Sequence, residues 1–353
     1  MKRKPSDEGT TTHCEVECTE GLEFVTEAEL RETLGNRVRL LPSARRGEVR
    51  FRYQGDLNRL RSLKTAQAAY SVQTYDIPRP RALLGDAHLR RFVAQIDEAR
   101  RQSPVGVYHT FSIAAAGSES SVMERIKEAI ASETGLNRAP DKGDLHIRIR
   151  PSPGAGQGWE TLVRLSPRPL VTRSWRVCDR EGALNAATAH AMIRLAAPKA
   201  EMSCLNLGAG SGTLLIERLA FSDASLVVGV DNDDTALTCT RTNIAASGCA
   251  NRIRLLKADM TRLPVGDGTF DQVYADLPFG QLVGSHRHNL KLYPAVLREA
   301  ARVTRRDGCF VVITHEMKLM DRLLREDARW RAEQSIQVNL RGLHPRIYVL
   351  RRV

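Results

Sequence analysis

From residue 200 onward, short apolar runs alternate with stretches whose apolar residues recur at helical spacing. Runs at 204–207, 226–230, 253–257, 272–275 and 309–314 predict strands, and 213–219, 235–246 and 292–304 predict helices between them. Such alternation predicts a parallel, doubly wound sheet. Residues 339–342 and 347–351 predict a closing hairpin, and 186–197 a helix before the Pro198-Lys199 break. The amino-terminal half has a different rhythm. Residues 14–18 alternate as a strand; Leu22, Val25, Ala28 and Leu30 share one face of a helix over 23–34 that Gly35 ends. A strand at 48–53, a helix at 56–69 and a strand at 70–75 complete a small α+β unit. Beyond Pro78 and Pro80, the pattern predicts a helix at 86–101, a strand at 110–114 and a helix at 121–134. Residues 144–150 alternate, with Leu145, Ile147 and Ile149 on one face and Arg148 and Arg150 on the other. A Pro/Gly-rich hairpin at 151–158 leads to a further strand at 160–165.

Composition narrows the class. A chain of 353 residues exceeds the usual size of one domain, and 42% hydrophobic residues can fill more than one core. Lys and Arg number 53 against 41 acidic residues, a net charge of +12 that favours a polyanionic partner or, failing that, an arginine-rich surface. Seven cysteines without a C-x-x-C fit neither a disulfide framework nor a zinc site, which points to a reducing compartment, the cytoplasm. His13, Cys14 and Cys18 read as strand residues rather than metal ligands, and His286 with His288 lacks a third ligand, so no metal is expected. No apolar run approaches the roughly 20 residues that cross a bilayer, and 1–12 reads as a charged, mobile tail.

The chemistry gathers after the predicted strands, where doubly wound sheets bind ligands. After the first come Asn206, Gly208, Gly210, Ser211, Gly212 and Thr213: glycines that let backbone approach a ligand, then a helix start whose free N–H groups face it. The second ends at Asp231-Asn232, an acid able to accept both hydroxyls of a ribose. These two features suit NAD and S-adenosylmethionine equally. The third ends at Asp259-Met260, a carboxylate for an exocyclic amine and a side chain to cover a ring. The fourth ends at Asp276-Leu277-Pro278-Phe279. An amino nitrogen conjugated to a ring is a poor nucleophile. The Asp276 carboxylate and the Leu277 carbonyl can take its two hydrogens, Pro278 restricts Leu277 to extended backbone, and Phe279 offers a stacking face.

Taken in order, these four segments resemble class I S-adenosylmethionine-dependent methyltransferases, which implies a ribose role for Asp231 and an adenine role for Asp259. Asn206 stands where that family often has an acid holding the cofactor's amino-acid end, so an acceptor remains and a charge is lost. Residues 276–279 resemble the [DN]-P-P-[YF] motif of amino-nitrogen methyltransferases, with Leu277 in place of the first proline. Leu165-Ser166-Pro167-Arg168-Pro169-Leu170, with Arg173 and Arg176, resembles the segment closing the THUMP domain of RNA-modifying enzymes. Residues 144–150 resemble the strand before it, and Gly21-Leu22-Glu23 the start of the ferredoxin-like domain that accompanies THUMP. The basic stretch with His286, Arg287 and His288 is similar to one that follows the catalytic motif in THUMP-containing guanine-N2 methyltransferases.

The resemblance implies a tail (1–12), a ferredoxin-like domain (13–76), a THUMP-like RNA-binding domain (77–177) and a Rossmann-like methyltransferase domain (178–353). It further implies S-adenosylmethionine as cofactor and tRNA as partner, with Arg148, Arg150, Arg168, Arg173, Arg176, His286 and Arg287 as RNA contacts; the sequence does not predict an oligomeric state, a monomer being favoured. The expected product is N2-methylguanosine, at position 6 first and position 10 second, from a base flipped out of its pair. Adenine-N6 or protein-glutamine methylation and a non-catalytic tRNA-binding role are the alternatives.

Overall fold

A computed structural model describes residues 11–153, 158–278 and 286–353. The chain divides into two compact units, one formed by residues up to Cys18 with Thr26–Leu170, the other by Thr19–Val25 with Val171–Val353.

The first unit is one eight-stranded sheet with helices. Its strands are β1 (Thr11–Glu17), β2 (Val38–Leu41), β3 (Glu48–Gln54), β4 (Ala68–Tyr75), β5 (Thr110–Ala115), β6 (Asn137–Arg138), β7 (Leu145–Pro151) and β8 (Trp159–Arg164). They lie in the order β2-β3-β1-β4-β8-β7-β5-β6, so the two expected amino-terminal segments share a sheet through β4 and β8. Helices α1 (Glu23–Leu34, entered from the second unit's segment), α2 (Asp86–Arg101) and α3 (Ser121–Thr134) accompany them. Helix α3 forms where its sequence supplies both caps: Ser120 accepts from Met123 N–H, and Gly135 closes the helix at φ 68°. Val16, Phe51, Phe92, Ile96, Ile126, Ile147 and Ile149 belong to one core. Residues 56–69 are not the expected helix. Leu57–Ser62 form a short 3-10 turn and β4 begins at Ala68, because Leu57, Leu60 and Leu63 at i,i+3 spacing suit a tighter turn as well as an α-helix.

The second unit is the doubly wound part. Its strands are β9 (Ser203–Leu207), β10 (Leu226–Asp231), β11 (Arg254–Lys257), β12 (Phe270–Asp276), β13 (Thr304–Thr314), β14 (Trp330–Gln337) and β15 (Arg346–Arg352), ordered β11-β10-β9-β12-β13-β15-β14. The first five are parallel, and β15 pairs antiparallel with both β13 and β14. Its helices are α4 (Ala186–Leu195), α5 (Thr213–Phe221), α6 (Asp234–Ala246), α7 (His286–Val303) and α8 (Met317–Glu326). Every residue of β9 is buried, as a central strand covered on both faces requires. The closing hairpin is β14-β15 rather than 339–342 with 347–351; Leu340 and Leu343 only bridge in the turn between them. Strand order reverses between β9 and β12, where such sheets open a crevice at their carboxyl ends.

Seven cysteines had suggested no disulfide, yet Cys178 and Cys239 are bonded, with Cα atoms 5.5 Å apart. The bond ties the chain before α4 to α6. Asn243 reinforces it, accepting from Val177 and Cys178 N–H (3.0 and 2.9 Å) and donating to the carbonyls of Cys178 and Ser211.

Candidate active site

At the switch point the second unit holds a cavity of about 640 Å³. All four expected loops line it, with Asn206, Gly208, Gly210, Ser211, Thr213, Asp231, Asn232, Asp259, Met260, Asp276, Leu277 and Pro278 on its wall. Gly212 is absent from the lining but sets the turn. With Gly208 and Gly210 it has positive φ (67°, 58° and 80° in chain order), a backbone that folds back before α5 and that side chains disfavour. A Cβ on Gly212 would lie 3.0 Å from Thr240 Cγ2, so α6 also limits this position.

The glycine loop and the β10 acid are bound together. Asp231 Oδ2 accepts from Gly210 N–H (2.9 Å) and Oδ1 from Asp233 N–H (3.0 Å), which fixes the carboxylate at the cavity wall and leaves further lone pairs on each oxygen for a diol. Thr240 Oγ1 donates to the Gly210 carbonyl (2.9 Å). Gly229 is needed for packing: a Cβ there would lie 2.5 Å from Leu215 Cδ1. Asp259 receives Thr261 N–H and hydroxyl on Oδ1, both at 2.8 Å, which leaves Oδ2 to meet a ligand amine. Asn206, 2% exposed, spends its amide N–H groups on the carbonyls of Leu207 and Tyr274 (3.2 and 3.3 Å). What it can offer a ligand is therefore Oδ1.

Asp276 closes β12. It is half-buried, and its Oδ1 is fully covered with no hydrogen-bond partner among the described residues. Burial pushes its carboxyl up to about 7. An orphaned buried carboxylate oxygen is costly unless something supplies a donor, and an exocyclic amine is one. Leu277 N–H donates to the Ile313 carbonyl (3.1 Å), and the Leu277 side chain is buried. Phe279 lies outside the described residues.

Several wall residues, His288 apart, carry no site signal in the sequence. Arg180, Glu181, Gly182, Ala183 and Leu184 line the cavity from the segment tied down by Cys178, and His288, Lys291, Leu292 and Ala295 line it from α7. Arg180 pairs with Asp233 (2.7 Å), whose carboxyl is held down at about 2 by hydrogen bonds from Thr235 and then from Arg180.

The expected RNA contacts divide. Arg148 and Arg150 do not offer free charge: Arg148 pairs with Glu17 and stacks on Tyr70, while Arg150 reaches Glu15, Glu48 and Glu160 at 2.6, 2.7 and 2.5 Å. Arg173 is buried in a triad with Glu217 and His190 (2.8 and 2.9 Å). Arg176 braces the glycine loop, donating to Thr213 Oγ1 (2.7 Å) and the Leu184 carbonyl (2.8 Å). Of the rest, Arg168 and Arg287 are exposed, and exposed His286 pairs with Glu316 at 2.9 Å. Among the described residues, no group of three or more His, Cys, Asp or Glu could hold a metal ion, and no helix is long and apolar enough to cross a membrane.

A glycine turn, two acids after successive strands and a covered carboxylate thus share one cavity at the switch point of a doubly wound domain. Residues 173–346 match the family model for the RMKL-like methyltransferase domain, UPF0020. The chain is similar to tRNA (guanine(6)-N(2))-methyltransferase THUMP3 of Homo sapiens, 32% identical over 181 residues, 47% of this chain and 36% of that protein. It is also similar to tRNA (guanine(6)-N2)-methyltransferase of Thermus thermophilus, 30% identical over 192 residues, 54% of this chain and 56% of that one. The matched part thus spans from about a third to just over half of these relatives' length. A crystal structure of TrmN from Thermus thermophilus shares the fold, with a TM-score of 0.76 at 23% identity over 97% of this chain and all of that one.

Proposed function

We propose that this protein transfers a methyl group from S-adenosylmethionine to the N2 amine of a guanosine in tRNA, with position 6 as the preferred site. Asp276 carries the reading: a carboxylate whose covered oxygen lacks a partner among the described residues, in the same cavity as the glycine turn, Asp231 and Asp259. The names of the relatives support guanine N2 as the acceptor, and the net charge of +12 supports a polyanionic partner. Exposed Arg168 and Arg287 are the expected RNA contacts that keep that role, and an amino-terminal ferredoxin-like and THUMP-like pair that grips the tRNA belongs to the same proposal.

The cavity residues fit the cofactor. Gly208 to Thr213 would receive its amino-acid end with Asn206 Oδ1, Asp231 its ribose, and Asp259 with Met260 its adenine. Bound S-adenosylmethionine supplies an electrophilic methyl group. The chain supplies alignment: ionised Asp276 and the Leu277 carbonyl accept the two amine hydrogens, draw the nitrogen out of conjugation and hold its lone pair along one line. With a carboxyl near 7, Asp276 must lose its proton to act as a charged acceptor, so rate should rise with pH through that value and level off above it.

Tritiated S-adenosylmethionine and unmodified tRNA test the reading with wild type and Asp276→Ala. Label in tRNA that the variant abolishes supports it. No label with wild type, or full transfer by the variant, overturns it.

A further inference from the structure

We infer that Tyr293 and Asn289 of α7 are positioning residues for the amine clamp: by holding the Pro278 carbonyl they aim the neighbouring Leu277 carbonyl at the substrate nitrogen. The inference rests on the proposed amine methylation for its kinetic consequence, though not for its geometry. The clamp turn departs from the amino-nitrogen methyltransferase motif at Leu277, where a proline would have locked one more backbone angle. Something else has to restrict that turn.

Two anchors do so. Upstream, Leu277 N–H donates to the Ile313 carbonyl of β13 at 3.1 Å. Downstream, the Pro278 carbonyl accepts from Tyr293 Oη at 3.0 Å and from Asn289 Nδ2 at 3.3 Å, which occupies both its lone pairs. The Pro278 ring fixes its own φ near −65°. With both ends of Leu277-Pro278 pinned and that angle locked, the Leu277 carbonyl cannot swing without breaking an anchor.

The donors are themselves directed. Tyr293 and Asn289 are fully buried, so their side chains have little freedom. Glu316 N–H donates to Thr314 Oγ1 at 2.9 Å, and Thr314 Oγ1 lies 2.6 Å from Tyr293 Oη. A carbonyl can only accept, so Tyr293 gives its one proton to Pro278 and receives that of Thr314. Burial raises the Tyr293 hydroxyl above its usual range, which keeps the proton in place. Asn289 spends its second N–H on Glu316 Oε1 at 3.2 Å. None of these side chains lines the cofactor cavity, so their effect on the reaction runs through the turn.

Tyr293→Phe keeps the packing and deletes the donor. The expected result is a kcat for methyl transfer lowered about 10- to 100-fold, with KM for tRNA and Kd for S-adenosylmethionine within twofold of wild type. Asn289→Ala should act in the same direction, and the double variant should lose less than the product of the single losses, because both donors serve one carbonyl. A second readout needs no activity: amide exchange at Leu277 should quicken about tenfold in Tyr293→Phe while Val273 and Ala275 are unchanged. Unchanged Leu277 exchange overturns the inference, as does wild-type kcat in the variant, or a loss of cofactor affinity in step with activity. If wild-type protein methylates no RNA, the proposed function fails and the exchange measurement alone decides the positioning role.

Discussion

Replacing Asp276 by Asn keeps the side chain's shape and removes a buried charge, so it should stabilise the fold while disabling the site. The carboxyl is pushed from the usual 3.8 to about 7. A rise of that size corresponds to roughly 4 kcal/mol as an upper bound, and about 2–4 kcal/mol is the working range. The sign follows from which state holds the proton. Below about pH 4 the group is protonated folded and unfolded, and it costs nothing. Between pH 4 and 7 the unfolded chain ionises first, so wild-type stability falls as pH rises; above 7 the cost is constant. Asp276→Asn should therefore match wild type near pH 4 and exceed it by about 2–4 kcal/mol near pH 8.5, a rise of roughly 4–16 °C in Tm for a domain of this size. Methyl transfer by the variant should fall at least about 100-fold, since a neutral amide accepts the amine hydrogen more weakly than a carboxylate and its own NH2 opposes the substrate amine. Thermal unfolding at the two pH values and a methyl-transfer assay measure both effects. A variant that is less stable at pH 8.5, or that retains activity, would refute the reasoning.

Other expectations are simpler. Asp231→Ala removes the acceptor that Gly210 and Asp233 hold in place, and calorimetry should show cofactor affinity lower by at least about tenfold, with each hydrogen bond to a charged group worth roughly 1.5–3 kcal/mol. Gly229→Ala sets a methyl group 2.5 Å from Leu215 Cδ1 and 2.9 Å from Leu255 Cδ2, and denaturant unfolding should register a loss of about 1–3 kcal/mol. Glu217→Gln strips the charge from the buried triad with Arg173 and His190 and should cost about 3–5 kcal/mol in the same assay. The acid limb of the wild-type kcat/KM profile should have its midpoint near pH 7, set by Asp276; a profile flat down to pH 5 would count against an ionised clamp.

The parallel strands were legible because they include apolar runs such as Leu226–Val230 that stay apolar whichever face is considered. Strand β14 left no such trace: between Trp330 and Ile336 its residues are exposed, so no alternation marks it. That glycines and acids at successive strand ends would gather in one cavity could be read from the sequence, since the topology of a doubly wound sheet brings those ends together. The arginines could not. Nothing near Arg150 in sequence announces that Glu15, Glu48 and Glu160 converge on it from β1, β3 and β8. For the same reason Cys178 and Cys239, 61 positions apart, gave no sign of pairing, and neither did Tyr293 and the Pro278 carbonyl. Such partners are chosen by topology.

Nucleoside mass spectrometry after incubation of the wild-type protein with unmodified tRNA and methyl-deuterated S-adenosylmethionine tests the central claim most directly. Deuterated N2-methylguanosine, mapping to position 6, is the expected product. Deuterium in N6-methyladenosine, or in no nucleoside at all, would contradict it.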